Sequence, residues 1–315
     1  MATAEIVQDA PFADALLAAA DAHPELVVLS ADLSKYTDLV PFAERHPERF
    51  FQVGMAEQNM MGIAGGLAKA GWLPVAVTYG VFATRRAFEQ LAMALCTGPS
   101  RGIVVAFLPG ITTPFRATHQ ATDDLALTRT IPGLGVVDPA DGHELAGALH
   151  AAIAHDRSVY IRGLRGRVPQ VFEPGAEFRL GAVRTLRDGG AVGVLTTGVA
   201  AGWVNEALEQ PAVAAAAPGW MHVPTLKPLD RAAVAAFCAR YAQVVTVENH
   251  SIVGGLGSAV ADVIAGEGLG TRLTTLGVPD AWAPAGSLAY IRAELGLDAA
   301  ALARRIADVH EEAAP

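Results

Sequence analysis

The chain has 315 residues, of which 52% are hydrophobic and 17% charged, and its formal net charge is −9. That length makes about two domains with sizeable cores, and the acidic balance argues against a general polyanion binder such as a nucleic-acid protein. The only cysteines, Cys96 and Cys238, provide neither a disulfide framework nor a thiolate metal site.

No apolar run reaches the roughly 18–20 residues of a membrane helix, and Met1–Glu5 shows no basic, apolar leader. The cytoplasm is therefore the expected compartment, with no membrane partner. The large apolar share predicts an obligate subunit interface.

Along the chain, "LVVLS" (26–30), "LPVAVTY" (73–79) and "IVVAFL" (103–108) are short, mostly apolar runs. They predict strands buried on both faces. Helical patterns lie between and after them at 57–70, 82–96 and 142–154. Pro, Gly and charge cluster in "RGRVPQVFEPGAEFRLG", where a linker is expected. The alternation then resumes, with strands expected at 191–196, 244–247 and 273–278 and helices at 198–208, 230–241, 257–264 and 299–310. The fold class is α/β, with two domains that are each a mostly parallel sheet covered by helices. The expected division is 1–172, a linker 173–184, and 185–315.

One-line motifs fail. His143-Glu144 lacks the second histidine of a zinc helix, since Gly147 stands there. "GGLGSAVAD" (254–262) lacks the third glycine of a dinucleotide fingerprint. There is no Walker loop, nucleophile elbow or Cys-x-x-Cys. What stands out is a set: Glu57, the aromatic pair Tyr79 and Phe82, "THQ" at 118–120, and "YIRGLRGRVP" at 160–169. Singly, each has an ordinary explanation. Glu57 could be a first-turn helix carboxylate, the aromatics core, His119 a bonded loop residue, and Arg162 and Arg165 surface charges.

Their order is more informative. "FFQVGMAEQ", "TYGVFATRRAFEQ", "ATHQATDDLALTRTIPGLGVVDPAD" and "YIRGLRGRVP" resemble the pyrimidine-binding domain of the transketolase family. "MHVPTLKPLD" and "ENHSIVGGLGSAVAD" resemble its C-terminal domain. The resemblance implies thiamine diphosphate as cofactor, with Mg2+. Thiamine diphosphate gives carbanion chemistry once its aminopyrimidine is held in the imino form, which needs a proton shared at ring N1′. By resemblance, Glu57 makes that hydrogen bond from an apolar setting of Val53, Met55, Met60 and Met61. Phe82 and Tyr79 stack on the aminopyrimidine. Asp32 matches an aspartate near the cofactor at the subunit interface. His119 faces the substrate and handles protons. Arg165 binds substrate phosphate as a planar bidentate donor, assisted by Arg162.

Family members place a further domain ahead of this one, with a Gly-Asp-Gly motif that holds magnesium and diphosphate. No Gly-Asp-Gly occurs here. The resemblance therefore implies the C-terminal half of a split enzyme, whose N-terminal-half partner supplies those ligands in an α2β2 assembly. The substrate loop, "FLPGITTPFRATHQ", also departs from the family pattern: Phe115 stands for an aspartate, Phe107 for a histidine, and Arg116 for a glycine. Such losses of polar contact change substrate choice, and Arg116 adds a cation toward an acidic substrate group. The leading expectation is transfer of a two-carbon ketol unit between sugars or sugar phosphates. Its rivals are an acyloin-forming carboligase of the deoxyxylulose-phosphate-synthase type, a 2-oxoacid dehydrogenase β subunit, and a non-catalytic regulatory subunit.

Overall fold

The computed structural model describes residues 7–98, 101–173 and 177–313. Met1–Glu5 and residues 174–176 of the expected linker lie outside the described residues. The chain forms two compact units, divided at more than one point. Met1–Pro109 with Leu127–Leu180 makes the first, and Gly110–Ala126 with Gly181–Pro315 the second. By compactness, the segment carrying "THQ" groups with the second unit, and its backbone bonds to a strand there.

The first unit contains strands β1 (Val7–Asp9), β2 (Leu26–Ser30), β3 (Phe50–Gln52), β4 (Leu73–Tyr79), β5 (Ile103–Phe107), β6 (Gly135–Val137), β7 (Val159–Gly163) and β8 (Arg167–Pro169). Six of them lie in the order β6-β7-β5-β4-β2-β3, every pairing parallel, while β1 and β8 pair antiparallel. β2, β4, β5 and β7 are buried along their whole length, as strands between helical layers are. The helices are α1 (Pro11–Ala22), α2 (Val40–Arg45), α3 (Glu57–Lys69), α4 (Phe88–Cys96) and α6 (Gly142–Ala154), while α5 (Asp124–Thr130) begins in the second unit's segment and ends in the first's.

α3 buries Glu57, Met60, Met61, Ala64 and Gly65, which is the i, i+3, i+4, i+7, i+8 stripe of an amphipathic helix. Burying each methionine contributes roughly 1.5–3 kcal/mol. Gly65 is required by the packing. A Cβ there would lie 2.6 Å from the Ala94 carbonyl oxygen, so α3 and α4 meet backbone to backbone. Two differences from the sequence pattern stand out. The helix expected at 82–96 is a π-helical turn, Phe82–Arg86, followed by α4. α1 is an additional helix: Ala10 at its start has φ 45° and gives no side-chain cap, so only Pro11 and the first-turn acid Asp14 mark its start.

α6 is held by Asp141. One carboxylate oxygen accepts the Glu144 amide at 2.9 Å, and the other accepts the amides of Val171 (2.9 Å) and Phe172 (2.8 Å). Glu144 reciprocates by accepting the Ala140 amide at 2.8 Å, a variant of the capping box. One buried aspartate thus caps a helix and fixes where the chain leaves β8.

The second unit contains β9 (Arg184–Arg187), β10 (Val192–Thr196), β11 (Gly219–His222), β12 (Thr225–Lys227), β13 (Gln243–Ser251) and β14 (Arg272–Val278). Its helices are α7 (Ala200–Leu208), α8 (Arg231–Cys238), α9 (Leu256–Gly266), α10 (Leu288–Glu294) and α11 (Ala299–Ala313). A five-stranded sheet has the order β14-β13-β10-β11-β9, parallel except for the β11–β9 edge. Leu195, Met221, Phe237, Tyr241, Val244 and Val260 share its core with Cys238, whose thiol burial pushes up to about 11. That thiol is inert at neutral pH. No helix among the described residues is long and apolar enough to cross a membrane.

Asp141→Ala should destabilise the chain by about 2–4 kcal/mol, from a lost N-cap and two buried amides left without their acceptor. The urea midpoint measures it, and a shift equivalent to less than about 0.5 kcal/mol, the scale of an ordinary surface substitution, would contradict this account.

Candidate functional site

In open parallel sheets, ligands bind beyond the carboxyl ends of the strands. The candidate residues of the first unit collect there. Asp32 follows β2, Glu57 opens α3 after β3, Tyr79 ends β4, Phe82 follows it, and Arg165 follows β7.

Glu57 is 1% exposed although it sits in a helix's first turn. Its position on the buried stripe of α3 explains this. Burying a carboxylate needs a partner, and Arg86 provides one: Nη1 donates to Oε1 at 3.1 Å and to Oε2 at 2.9 Å. The Arg86 guanidinium carbon also lies 4.2 Å from the centroid of the Phe82 ring, a cation–π contact. Phe82 in turn stacks with Tyr79, their centroids 5.9 Å apart and planes 29° apart. Carboxylate, guanidinium and two rings therefore form one continuous surface. The π-helical turn aims Arg86: its wider winding places residues 82 and 86 so that the side chain crosses the Phe82 ring. Such turns recur at functional sites.

The apolar setting expected around Glu57 is only partly found. Met60 and Met61 are fully buried, but Met55 is 78% exposed and the carboxylate faces a cation. Arg86 went unrecognised in the sequence because an Arg-Arg pair ordinarily reads as solvated charge. The signal that could have found it is its place four residues after Phe82, beside a helix that opens with an acid.

Arg165 is exposed and donates from Nη1 to the Tyr36 carbonyl at 2.9 Å. Burial raises the Tyr79 hydroxyl pKa, and the Arg165 charge partly opposes that rise. Burial likewise raises the Asp38 carboxyl, opposed by the Gly166 amide and by Arg165. Arg165 thus sits close enough to bias both groups. Arg162 lies elsewhere. It is wholly buried in β7, and Nη1 donates to Asp138 at 3.2 Å inside the unit. Asp32 has φ 62°, and its amide donates to the Gln52 side chain at 2.6 Å; that bond holds the backbone of an exposed aspartate. Phe107 is fully buried against Phe12, centroids 5.3 Å apart, and belongs to the core.

The second unit carries the other candidates. His119 is half-buried, its Nδ1 lies 2.9 Å from the Thr118 hydroxyl, and its ring is 5.0 Å from Phe115. Phe115 is 57% exposed, and Arg116 is exposed beside it. The loop therefore presents an imidazole, an aromatic face and a cation. Among the described residues no group of three or more His, Cys, Asp or Glu is placed to hold a metal ion.

The chain matches the family model for the transketolase pyrimidine binding domain over residues 6–170, and that for the transketolase C-terminal domain over 181–302. An uncharacterised transketolase family protein of Sinorhizobium fredii (strain NGR234) is 41% identical over 306 residues, covering 96% of this chain and 89% of its own. The 6-deoxy-6-sulfo-D-fructose transketolase subunit SqwH of Clostridium sp. (strain MSTE9) is 35% identical over 301 residues, covering 95% and 93%. A solved split gene transketolase, described as an inactive beta4 tetramer, aligns with a TM-score of 0.83 at 35% identity over 96% of both chains. Two domain models in the expected order, and relatives alike over nearly their whole length, show that the chain belongs to the transketolase family, of which it carries the pyrimidine binding and C-terminal domains.

Proposed function

We propose that this chain is one component of a two-component, thiamine-diphosphate-dependent transketolase that moves a two-carbon ketol unit between acidic sugars, phosphates among them. The observation that carries the reading is Glu57, a carboxylate buried at the mouth of α3 and joined to the Phe82 ring through Arg86. An aminopyrimidine needs an apolar face and a carboxyl group at one ring nitrogen, and the donor set of this unit fits both needs. The bound cofactor would supply a stabilised carbanion at its thiazolium carbon. Glu57 would hold a proton at the ring nitrogen, and Phe82 with Tyr79 would fix the ring. Arg86 would release at least one Glu57 oxygen as the ring docks.

Diphosphate and Mg2+ ligands are assigned to a partner chain, in an α2β2 assembly, since no Gly-Asp-Gly stands in this sequence. The structural relative's description as a split gene transketolase supports that assignment. Arg165, exposed beyond β7, is assigned to the acidic group of the substrate, with Arg116, and His119 to its hydroxyls. Asp32 is assigned to the edge of the cofactor site. Arg162, buried with Asp138, is assigned to the fold. Phe115 presents a ring where the family pattern has an aspartate, which suits a substrate region that carries no hydroxyl to pair. The SqwH relative, named for a 6-deoxy-6-sulfo sugar, makes that ketose and ketose phosphates the donors to offer first.

Mixed with the partner chain, thiamine diphosphate and Mg2+, Glu57→Ala should slow hydrogen–deuterium exchange at the thiazolium carbon by about 100-fold or more, the scale of a lost acid–base group. Near-normal exchange would sink the Glu57 assignment. Arg165→Ala should raise KM for acidic donors by about tenfold or more with kcat less affected, as loss of a charge-assisted contact does; an unchanged KM removes Arg165 from the site. In the chain alone, Arg86→Ala should destabilise by about 1–3 kcal/mol, because Glu57 stays buried without its cation; the figure is lowered for an arginine half in solvent. In a Glu57→Gln background that loss should shrink, which a cycle of urea midpoints would read.

A further inference from the structure

A second knot of buried polar groups lies in the second unit, at the carboxyl end of β13. Glu248, Asn249 and His250 follow one another and none is exposed. Each is buried and polar, and so needs a partner. Glu248 accepts the amides of Leu256 (2.7 Å) and Gly257 (2.8 Å), tying the strand to the first turn of α9.

The other two reach the loop that carries His119. Asn249 Oδ1 accepts the Ile111 amide at 2.9 Å. His250 Nδ1 lies 2.7 Å from the Ser251 carbonyl, which makes it the protonated nitrogen, so Nε2 is the acceptor for the Ala126 amide at 3.3 Å. The Ser251 amide donates to the Thr122 carbonyl at 2.7 Å. Segment 110–126 is therefore fastened at both ends to one strand terminus.

The glycines on either side exist for this approach. Gly110 has φ 54°, and a Cβ there would overlap the Asn249 side chain. At Gly255 a Cβ would overlap the Glu248 carboxylate and come within 2.7 Å of His250 Nδ1. "GGLG", which fails as a nucleotide fingerprint, is the backbone side of the knot.

We propose that Asn249 and His250 are positioning residues that hold the 110–126 loop so that His119, with Phe115, is presented to the substrate. Neither touches the substrate. The proposal rests on His119 serving the substrate, as in the proposed function.

Hydrogen–deuterium exchange on the full chain tests the clamp, and kinetics with the partner chain test its role. Asn249→Leu should raise exchange across 110–126 on the order of tenfold, as loss of a buried hydrogen bond implies, while β10 keeps its protection. Asn249→Asp keeps an acceptor oxygen and should restore most of it. Gly110→Ala should loosen the same peptide from the loop side, and His250→Leu its Ala126 end. In the reconstituted mixture, Asn249→Leu should raise donor KM about tenfold while thiamine diphosphate affinity and thiazolium exchange stay within twofold. Unchanged 110–126 exchange overturns the clamp. Raised exchange with an unchanged donor KM overturns the positioning role. A wild-type mixture that turns over no ketose removes the proposed function instead, and the exchange measurement still decides the clamp.

Discussion

A carboxylate placed on the buried stripe of a helix sets the terms for the first unit. Glu57 falls at i of the same i, i+3, i+4, i+7, i+8 set that buries Met60, Met61, Ala64 and Gly65, so it cannot reach solvent without turning the helix away from the sheet. Position at the helix start offsets part of the desolvation, since the amide ends of the first turn favour negative charge. The rest of the compensation comes from Arg86 at 2.9 and 3.1 Å. That guanidinium is in turn held by the Phe82 face, and Phe82 by Tyr79. Each member of the chain is held by its neighbour, and together they line the region that follows β3 and β4.

The helix that carries the cation shows how local geometry serves that pair. A regular α-helix from Phe82 would keep a bond ladder of four residues. The π-helical turn, Phe82–Arg86, inserts a wider step before α4 resumes at Phe88. Meanwhile Gly65 lets α4 approach α3 at Ala94. The two helices approach closely at Gly65 and Ala94, and Arg86 joins Glu57 and Phe82 near their starts.

Much of this was legible in the sequence where periodicity and burial agree. Strands Leu26–Ser30 and Leu73–Tyr79 and helix Gly142–Ala154 have the bounds expected from the sequence. Elements without such signals were not. α1 begins at a left-handed Ala10 with no capping side chain, and β11 opens on a glycine that packs under Tyr241. Motif order singled out the acid and the aromatics that the fold brings near one another through Arg86. Arg86 itself was not singled out, because nothing in an Arg-Arg pair says that one of the two reaches across a ring to a buried acid. The grouping of 110–126 with the second unit was equally invisible, since it depends on Asn249 and His250 accepting amides 138 and 124 residues away.

In the proposed function, the 110–126 loop would need a fastened backbone most where its side chains depart from the family pattern. An aspartate at position 115 would read a hydroxyl through a directional bond, and that bond would help hold its own loop. Phe115 offers only a face, which discriminates by shape and by what it leaves unpaired. A ring 57% exposed against His119 at 5.0 Å selects poorly if the loop beneath it moves by an ångström, because apolar contact falls away quickly with distance. Buried bonds from Asn249, His250 and Ser251 supply, from outside the loop, the rigidity that a polar contact would otherwise supply from within. In the proposed function, Phe115 would replace a polar reader on a loop whose position is fixed by β13 and not by the substrate.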